Sequence, residues 1–545
     1  MAVNGARSLV KTLTELGVDT VFGLPGAHNF PIRDALAERG PEGLRVIGVR
    51  QEQAAVHAAD GYSRTTGSLG VALVTTGPGA VNTVRAVEEA RASASPVLVI
   101  TTDVSSASRA ARESECREEF LEPWAKAVLT VEHPDEIAPV VRRAAETALR
   151  PRSGPVYVGV PAGFLDDPVT ESSDSVGSVG SGPPPVAEEA LKEAREALEQ
   201  AQHPLIWAGG GALRSGAGEA IGLLAERLAA PIVTTVAARG IVPPDHPCLA
   251  SNPLHAPEVG VLWDEADVVL AIGTDFDDTM TQNGSMPRPP GLIAVNIDAE
   301  EAEKNCPPDL LLLGDAREVV EELSRGVSPK PGLDELTRRL DEIEVLLRRR
   351  VRKEEPHAAE FLSALKETLP EDSVLVADMC AAGSWIGGFH RVSGPRQLAL
   401  PMGWGTTGFG FPASLGVAAA GAVRAVCVTG DGGFLPGCSE LATAIQEQLP
   451  VTVVIVDDGG YGMLSYDRAH AGFEHHGVEL ATPDFVGLAK SFGVYADRVD
   501  GFGRAFRRLL REFTRSDEPN VLVVNGELRP PLNTSSRWYR QENTG

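Results

Sequence analysis

The sequence predicts an α/β protein built from three doubly wound parallel-sheet domains. Short runs rich in Val, Ile and Leu alternate with helical stretches along the chain; examples are "LGVALVTT", "RAVCVTG" and "PVTVVIV". Runs that are apolar on both faces and are separated by helices are typical of parallel sheets covered on both sides. Two breaks rich in small residues and proline divide this alternation into three blocks.

The two breaks place the domain boundaries. The first, "ESSDSVGSVGSGPPP", has the composition of a linker, and the second, "SRGVSPKPG", interrupts the chain again. We therefore predict an N-terminal domain at 1–170, a central domain at 186–326 and a C-terminal domain at 355–535. The charged stretch between the last two domains predicts a helix with a solvated face.

Composition and charge exclude several classes of partner. The 545-residue chain is 43% hydrophobic and 23% charged, and its formal net charge is -26. An acidic surface repels nucleic acids and anionic membranes, so we expect neither as a partner. Six cysteines without a C-x-x-C pair are typical of reduced thiols, the N-terminal stretch has no apolar signal core, and no stretch has the apolar length of a membrane span. We expect a cytoplasmic protein.

Residues 430–464 carry the strongest chemical signal, "GDGGFLPGCSELATAIQEQLPVTVVIVDDGGYGML". The pattern predicts a strand that ends at Asp431, a helix with Ser439 as its N-cap, and a second strand that ends at Asp457 and Asp458. One strand–helix–strand unit brings the carboxyl ends of its strands to one sheet edge, so Asp431 and Asp458 are expected side by side. Carboxylate oxygens, with glycines that let backbone amides approach a ligand, suit Mg²⁺ holding a diphosphate.

This stretch resembles the motif of thiamin-diphosphate-dependent enzymes, which begins Gly-Asp-Gly and ends Asn-Asn. The resemblance implies that Asp431, Asp458 and the backbone carbonyl of Gly460 bind the metal. Asp457 and Asp458 stand where asparagines are usual; Asp458 still offers an oxygen ligand, but its added charge near a diphosphate costs on the order of 1–4 kcal/mol. The resemblance also implies these cofactor contacts: Gly430, Asp431, Gly432, Gly433, Phe434, Tyr461, Gly462 and Met463.

A second segment, "GVRQEQAAVHAADGYSRTTG" at residues 48–67, resembles the glutamate-bearing helix of the same enzymes. A mostly apolar helix is a suitable host for a single proton-sharing carboxylate. The resemblance implies that Glu52 hydrogen-bonds the pyrimidine ring of the cofactor and acts in catalysis.

Two further loops resemble parts of the same cofactor and substrate cleft. Residues 75–84, "TTGPGAVNTV", resemble the Gly-Pro-Gly loop, and residues 22–36, "FGLPGAHNFPIRDAL", resemble the first strand-to-helix loop. The pair Ala27–His28 is similar to that of benzaldehyde lyase and some guanidino-oxoacid decarboxylases. This implies that His28 is a catalytic proton relay, with a helix-cap or core histidine as the alternative. The cofactor contacts implied in these loops are Pro25, Gly26, Thr76, Gly77, Gly79 and Asn82.

Residues 401–416, "PMGWGTTGFGFPASLG", resemble the segment that leads into the diphosphate domain. The resemblance implies that Thr406 and Thr407 contact the cofactor. Thr407 aligns with the apolar wedge that bends the cofactor, and Met402 is the other candidate. In the family, the pyrimidine-binding domain of one chain faces the diphosphate-binding domain of another, which implies a homodimer or homotetramer with active sites between chains.

The middle block resembles the central domain of acetolactate-synthase-like enzymes. Its "GGG" at residues 209–211 predicts either a dinucleotide cradle or a tight strand-to-helix turn. The stretch "GTDFDD" resembles "GARFDDR", but Asp275 replaces the arginine and Thr279 follows where a second basic residue is expected. FAD therefore stays an open alternative that these replacements disfavour.

Together these features predict a thiamin-diphosphate-dependent 2-oxo acid decarboxylase or carboligase, acetolactate-synthase-like, that uses Mg²⁺ and a small-molecule 2-oxo acid. A benzaldehyde-lyase-like C–C lyase and a flavin-linked 2-oxo acid oxidase are alternative enzymes. The alternative outside enzymes is a non-catalytic, thiamin-diphosphate-binding regulatory paralogue, which the Asp457–Asp458 pair allows and Glu52 disfavours.

Overall fold

The protein is described here from a computed structural model that covers residues 3–38, 43–75, 77–103, 118–170, 186–421, 424–470, 472–473 and 476–531. These residues form three separate sheets, and every pairing between their named strands is parallel. The predicted fold class is confirmed. Within the described ranges, no helix has the length and apolar character needed to cross a membrane.

The N-terminal domain has a six-stranded sheet in the order β2-β1-β3-β4-β6-β5. Its elements are α1 (Gly5–Glu15), β1 (Thr20–Gly23), α2 (Phe30–Ala37), β2 (Arg45–Gly48), α3 (Glu52–Thr66), β3 (Gly70–Val74), α4 (Pro78–Ala92), β4 (Val97–Asp103), β5 (Ala127–Thr130), α5 (Ile137–Leu149) and β6 (Val156–Pro161).

The central domain has a five-stranded sheet in the order β11-β10-β9-β7-β8. Its elements are α6 (Glu188–Gln200), β7 (Pro204–Ala208), α7 (Gly210–Arg214), α8 (Gly218–Leu228), β8 (Ile232–Thr234), α9 (Pro257–Glu265), β9 (Val268–Ile272), α10 (Asp278–Thr281), β10 (Gly291–Asn296), α11 (Ala299–Glu303), β11 (Leu310–Leu313) and α12 (Ala316–Gly326).

A charged helix, α13 (Leu333–Glu354), connects the central and C-terminal domains. It buries Leu340, Ile343, Leu347 and Val351. These residues recur every three or four positions, so one face packs and the charged residues occupy the other.

The C-terminal domain has a six-stranded sheet in the order β13-β12-β14-β15-β17-β16. Its elements are α14 (Pro356–Thr368), β12 (Val374–Ala377), α15 (Ala381–Phe389), β13 (Leu398–Ala399), α16 (Gly410–Ala419), β14 (Ala425–Gly430), α17 (Asp431–Phe434), α18 (Leu441–Gln446), β15 (Val451–Asp457), α19 (Gly462–His470), α20 (Phe485–Ser491), β16 (Tyr495–Asp500), α21 (Arg504–Phe513) and β17 (Asn520–Asn525).

Strands β14 and β15 lie in the middle of this sheet, and all but their last residues are buried. The register pairs Gly430 with Val456. The residues that follow these two, Asp431 and Asp457, therefore leave the sheet at the same edge, as the crossover predicts.

The helix after β14 begins earlier than the sequence predicts. Strand β14 ends at Gly430, Asp431 is the first residue of α17, and a 3-10 segment, Leu435–Glu440, leads into α18. Ser439 lies inside this continuous helical segment, so its predicted role as N-cap is wrong. The amide of Gly432 donates to Asp431 Oδ1 over 2.7 Å, and the aspartate therefore supplies the acceptor that the first turn needs.

Helices α3 and α16 bring the N- and C-terminal domains of one chain into direct contact. A side chain at Gly61 would overlap the carbonyl of Ala413, and one at Gly416 would overlap the carbonyl of Ala58. The two backbones approach this closely only because both positions are glycine. Apolar residues of both domains join in one core across this contact.

Candidate active site

The first candidate half-site lies at the carboxyl ends of three neighbouring strands of the N-terminal sheet. The loop with His28 follows β1, Glu52 begins the helix after β2, and the loop with Gly77 follows β3. The sheet order places these strands side by side, as β2-β1-β3. A Cβ at Gly26 would lie only 2.7 Å from the Cβ of Thr75, so the loops after β1 and β3 are in contact.

Glu52 is half-buried at the start of α3. Asn82 Nδ2 donates to its Oε2 over 3.1 Å, and a Cβ at Gly79 would lie 3.4 Å from its Oε1. The sequence predicts Glu52, Gly79 and Asn82 as residues of one cofactor site, and the structure brings the three together. Gly77 has a φ of 57°, a conformation that favours glycine, and it lets the loop turn into α4.

The loop with His28 is held by Asn29. This asparagine is fully buried, accepts a hydrogen bond from the Gly26 amide over 2.9 Å, and donates to the carbonyl of Leu24 over 2.9 Å. His28 itself is half-buried in a short 3-10 turn, so it is not a core residue. Pro25 is exposed in the same loop, and Thr76 lies outside the described residues.

The second candidate half-site lies at the carboxyl ends of β12, β14 and β15. Asp431 is 1% exposed, and burial raises the pKa of its carboxyl, an effect that the amides of Gly432, Gly459 and Gly460 oppose. Its Oδ2 is buried and has no hydrogen-bond partner among the described residues. A buried carboxylate oxygen without a donor fits a metal ligand, because leaving it unpaired costs free energy.

Asp458 faces the same region from the loop after β15. Burial and then the neighbouring Asp431 carboxylate raise the pKa of Asp458 to about 6. A side chain at Gly462 would overlap the Asp458 carboxylate, so the first turn of α19 contacts this aspartate. The Tyr461 amide, just before α19, donates to the carbonyl of Val478 over 2.9 Å.

Two carboxylates and a carbonyl do not form a complete metal site. The described part of the chain contains no group of three or more His, Cys, Asp or Glu side chains that could hold an ion together. Mg²⁺ takes six oxygen ligands and is commonly held by one or two carboxylates with phosphate oxygens and water. The residues present therefore fit a metal that is bound together with a diphosphate.

Thr406 and Thr407 lie in the loop before α16. Thr406 is buried, its amide donates to Glu89 Oε2 over 3.3 Å, and its Oγ1 has no partner among the described residues. The carbonyl of Thr407 accepts a hydrogen bond from Arg85. Met402 packs at the edge of a C-terminal core, and the choice between it and Thr407 as the wedge stays a prediction.

Three family models match the chain in order along its length. Residues 3–124 match the N-terminal TPP binding domain of thiamine pyrophosphate enzymes, residues 191–323 match the central domain, and residues 378–524 match the C-terminal TPP binding domain. The chain belongs to the thiamine pyrophosphate enzyme family. The two half-sites of this thiamine pyrophosphate enzyme lie in the two matched cofactor-binding domains.

Relatives match this thiamine pyrophosphate enzyme over nearly its whole length. A probable acetolactate synthase large subunit from Methanocaldococcus jannaschii is 32% identical, over 96% of this chain and 92% of the relative. A probable 2-ketoarginine decarboxylase from Pseudomonas aeruginosa is 33% identical, over 90% and 88% of the two chains. The prediction of a thiamin-diphosphate-dependent enzyme of the decarboxylase or carboligase type is confirmed.

A solved structure shares the fold of this enzyme. The thiamine diphosphate-dependent 4-hydroxybenzoylformate decarboxylase of Rhodococcus jostii RHA1 superposes with a TM-score of 0.81 at 22% identity, over 96% of this chain and 99% of that one.

The central domain uses its glycine-rich turn for internal packing. The amides of Gly209 and Gly211 donate to the carbonyls of Ile272 and Gly273 over 2.8 and 2.9 Å, and side chains at either glycine would press on Gly273. The turn is thus explained by the approach of two strand ends, which favours the tight-turn alternative over a dinucleotide cradle. Asp275, which stands where the similar motif has an arginine, lies in the same loop two residues after Gly273.

Asp378 is a residue of this site that the sequence analysis missed. It follows β12, is 1% exposed, and accepts hydrogen bonds from the amides of Gly408 and Gly410 over 2.9 and 3.0 Å. Burial raises the pKa of Asp378 to about 6, although these donors oppose the shift. Asp378 therefore fixes the loop of Thr406 and Thr407 against the sheet. The sequence does contain a signal for Asp378: the apolar run "SVLVAD" ends in this aspartate, which predicts a carboxylate at the carboxyl end of a strand, where ligands bind.

Proposed function

We propose that this enzyme binds thiamin diphosphate with Mg²⁺ and acts on a 2-oxo acid, with Asp431, Asp458 and the carbonyl of Gly460 as the metal ligands. The observation that carries the proposal is the buried, unpartnered Oδ2 of Asp431 next to Asp458 at one sheet edge. When bound, the cofactor supplies a nucleophilic carbon and accepts the electron pair released as carbon dioxide leaves.

The chain's own residues hold the diphosphate in this proposal. The start of α17 is closely packed: a Cβ at Gly432 would lie 2.7 Å from the Tyr461 ring, and Phe434 packs against Phe411 and Phe485. Gly462 and Met463 begin α19, whose free N-terminal amides favour an anion. Tyr461 is partly exposed beside them.

The proton-transfer groups lie in the N-terminal half-site. Glu52 shares a proton with the pyrimidine ring in this proposal, and Asn82 holds its carboxylate in one orientation. His28 stands in the loop that Asn29 holds at the same sheet edge, and in this proposal its imidazole relays a proton to or from the substrate.

We further propose that two copies of the chain form each active site, in a homodimer or homotetramer. Large apolar side chains are exposed beside both half-sites: Phe30 is 52% exposed, Trp404 55% and Leu464 55%. Aromatic side chains such as those of Phe30 and Trp404 are enriched in protein–protein interfaces. A cytoplasmic location is part of the proposal, and the five cysteines of the described ranges, all free thiols, support it.

One set of assays tests the proposed function. The purified protein is given thiamin diphosphate and Mg²⁺, and carbon dioxide and coupled products are followed with pyruvate, 2-ketoarginine and 4-hydroxybenzoylformate. Carbon dioxide without coupling identifies a decarboxylase, coupling identifies a carboligase, and acyloin cleavage without carbon dioxide identifies a lyase. A yellow purified protein supports FAD. Cofactor binding without turnover of any substrate overturns the enzymatic proposal and favours a regulatory paralogue.

A further inference from the structure

A buried carboxylate of the C-terminal domain hydrogen-bonds the backbone next to Glu52. Glu440 is fully buried at the end of the 3-10 segment Leu435–Glu440. Its Oε1 accepts a hydrogen bond from the amide of Arg50 over 2.9 Å, and the hydroxyl of Thr443 donates to its Oε2 over 2.6 Å. The amide of Gln51 also stabilises the charged form of this carboxylate. The contact therefore lies within two residues of the start of α3.

Further contacts hold both ends of strand β2 on the same surface. The Arg50 guanidinium donates to Gln446 Oε1 over 2.8 Å, and Arg45 donates to the carbonyl of Glu447 over 3.0 Å. Strand β2 is the edge strand of the N-terminal sheet, so it has a neighbouring strand on one side only. The C-terminal domain supplies the support that the open side of β2 lacks.

The other end of the Glu440 segment carries the proposed metal ligand. Residues 431–446 run without interruption through α17, the 3-10 segment and α18, with Asp431 at the start. Asp431 and Glu440 are thus parts of one continuous helical segment.

We propose that Glu440 is a positioning residue for Glu52, which fixes the start of α3 and ties it to the segment that carries Asp431. The inference rests on the proposed roles of Glu52 and Asp431. Asp431 and Glu52 of one chain would belong to different active sites in a dimer with active sites between chains. Each Glu440 would then connect the metal ligand of one site with the acid of the other.

The substitution Glu440→Gln tests the tether with little change in volume. An amide side chain can still accept from the Arg50 amide and donate to the Thr443 hydroxyl oxygen, but it carries no charge, so the hydrogen bond from the Arg50 amide loses its charge assistance. In the protein without cofactor, we expect backbone amides of residues 50–52 to exchange with deuterium about tenfold to hundredfold faster than in the wild type. We expect kcat to fall about tenfold or more with KM for the 2-oxo acid little changed, because Glu440 acts through Glu52.

Glu371→Gln is the matched control, because it removes an exposed carboxylate of the same domain, just before β12. Its exchange rates and kcat should match the wild type. If Glu440→Gln does not fold, Thr443→Val is the second test variant. We expect it to increase hydrogen exchange at residues 50–52 by a smaller factor. Unchanged exchange and kcat in Glu440→Gln overturn the inference. A Glu52→Gln variant with normal turnover overturns the proposed role of Glu52 instead, so the two failures are distinguishable.

Discussion

Arg498 of β16 forms an ion pair with Asp457, the residue immediately before the proposed metal ligand Asp458. Their Nη1–Oδ2 distance is 3.1 Å, and the same nitrogen donates to Asn525 Oδ1 over 2.6 Å. The Asp457 side chain is 11% exposed, so its charge is mostly shielded from solvent and depends on this partner. The pair accounts for an aspartate at this position, because the Arg498 guanidinium compensates its charge at the sheet edge.

The Arg498–Asp457 pair predicts a rescue between two substitutions. Arg498→Gln leaves Asp457 without its cation, and we expect the Kd for thiamin diphosphate with Mg²⁺ to rise about three- to tenfold. Asp457→Asn alone should bind like the wild type, and the double variant should recover that affinity. Calorimetric titration measures each affinity, with Asp484→Asn as the control for a more distant carboxylate near Arg498. A double variant as weak as Arg498→Gln would mean that Arg498 acts otherwise than through Asp457.

Sequence reasoning found the parts of the site that are encoded locally. Apolar runs marked the strands, and residues such as Glu52 and Asp431 stand at strand ends or within recognisable loops. Glu440 and Arg498 act through partners far away in the chain, Arg50 and Asp457, and no local pattern indicates such pairs. The error at Ser439 has a local cause: glycine has a low helix propensity, but the helical segment begins at Asp431, whose carboxylate accepts from the Gly432 amide in the first turn.

The metal assignment predicts a loss of cofactor binding in Asp431→Ala. Removing a buried carboxylate that faces the metal should lower the affinity for thiamin diphosphate with Mg²⁺ by about a hundredfold or more, as for a lost charged partner. The control is Asp372→Asn, an exposed aspartate just before β12, at the opposite end of the sheet. Calorimetry that shows equal affinities for the two variants would remove Asp431 from the site.

The proton-sharing role of Glu52 predicts a slow but folded variant. Glu52→Gln keeps the size of the side chain and loses the acid, so turnover should fall by a factor of about 10² or more. Binding of the diphosphate should change little, because Glu52 lies in the other half-site. Steady-state kinetics and calorimetry separate these effects, and Glu132→Gln, an exposed glutamate of the same domain, controls for charge. Normal turnover in Glu52→Gln would exclude the role.

Buried histidines predict a loss of stability in acid. Burial lowers the pKa of His57 to about 3; it is 2% exposed and packs against Phe409. The unfolded chain takes up a proton near pH 6.5 and the folded protein does not, so stability falls as pH drops from about 6.5 toward 3. Burial raises the pKa of Asp378 to about 6, so the folded protein binds a proton there that the unfolded chain does not. The contribution of Asp378 to stability therefore rises as the pH falls from about 6 to 4.

Thermal unfolding at several pH values measures the contribution of His57. His57→Gln should flatten the fall in melting temperature between about pH 6.5 and 4, because the group that titrates only in the unfolded chain is gone. His133→Gln, which changes a mostly exposed histidine, should leave the pH dependence as it is. The same slope in all three proteins would show that His57 does not contribute.

The proposed placement of active sites between chains predicts complementation by two inactive variants. In a heterodimer of Glu52→Gln and Asp431→Ala chains, one site collects both substitutions and the other has neither. With random pairing, half of the dimers are mixed and each has one intact site, so about a quarter of wild-type activity should return on co-expression. A mixture of separately folded variants that do not exchange subunits is the control, and it should stay inactive. If each chain instead built a complete site from its own Glu52 and Asp431, every site in the mixture would carry one substitution and no activity would return.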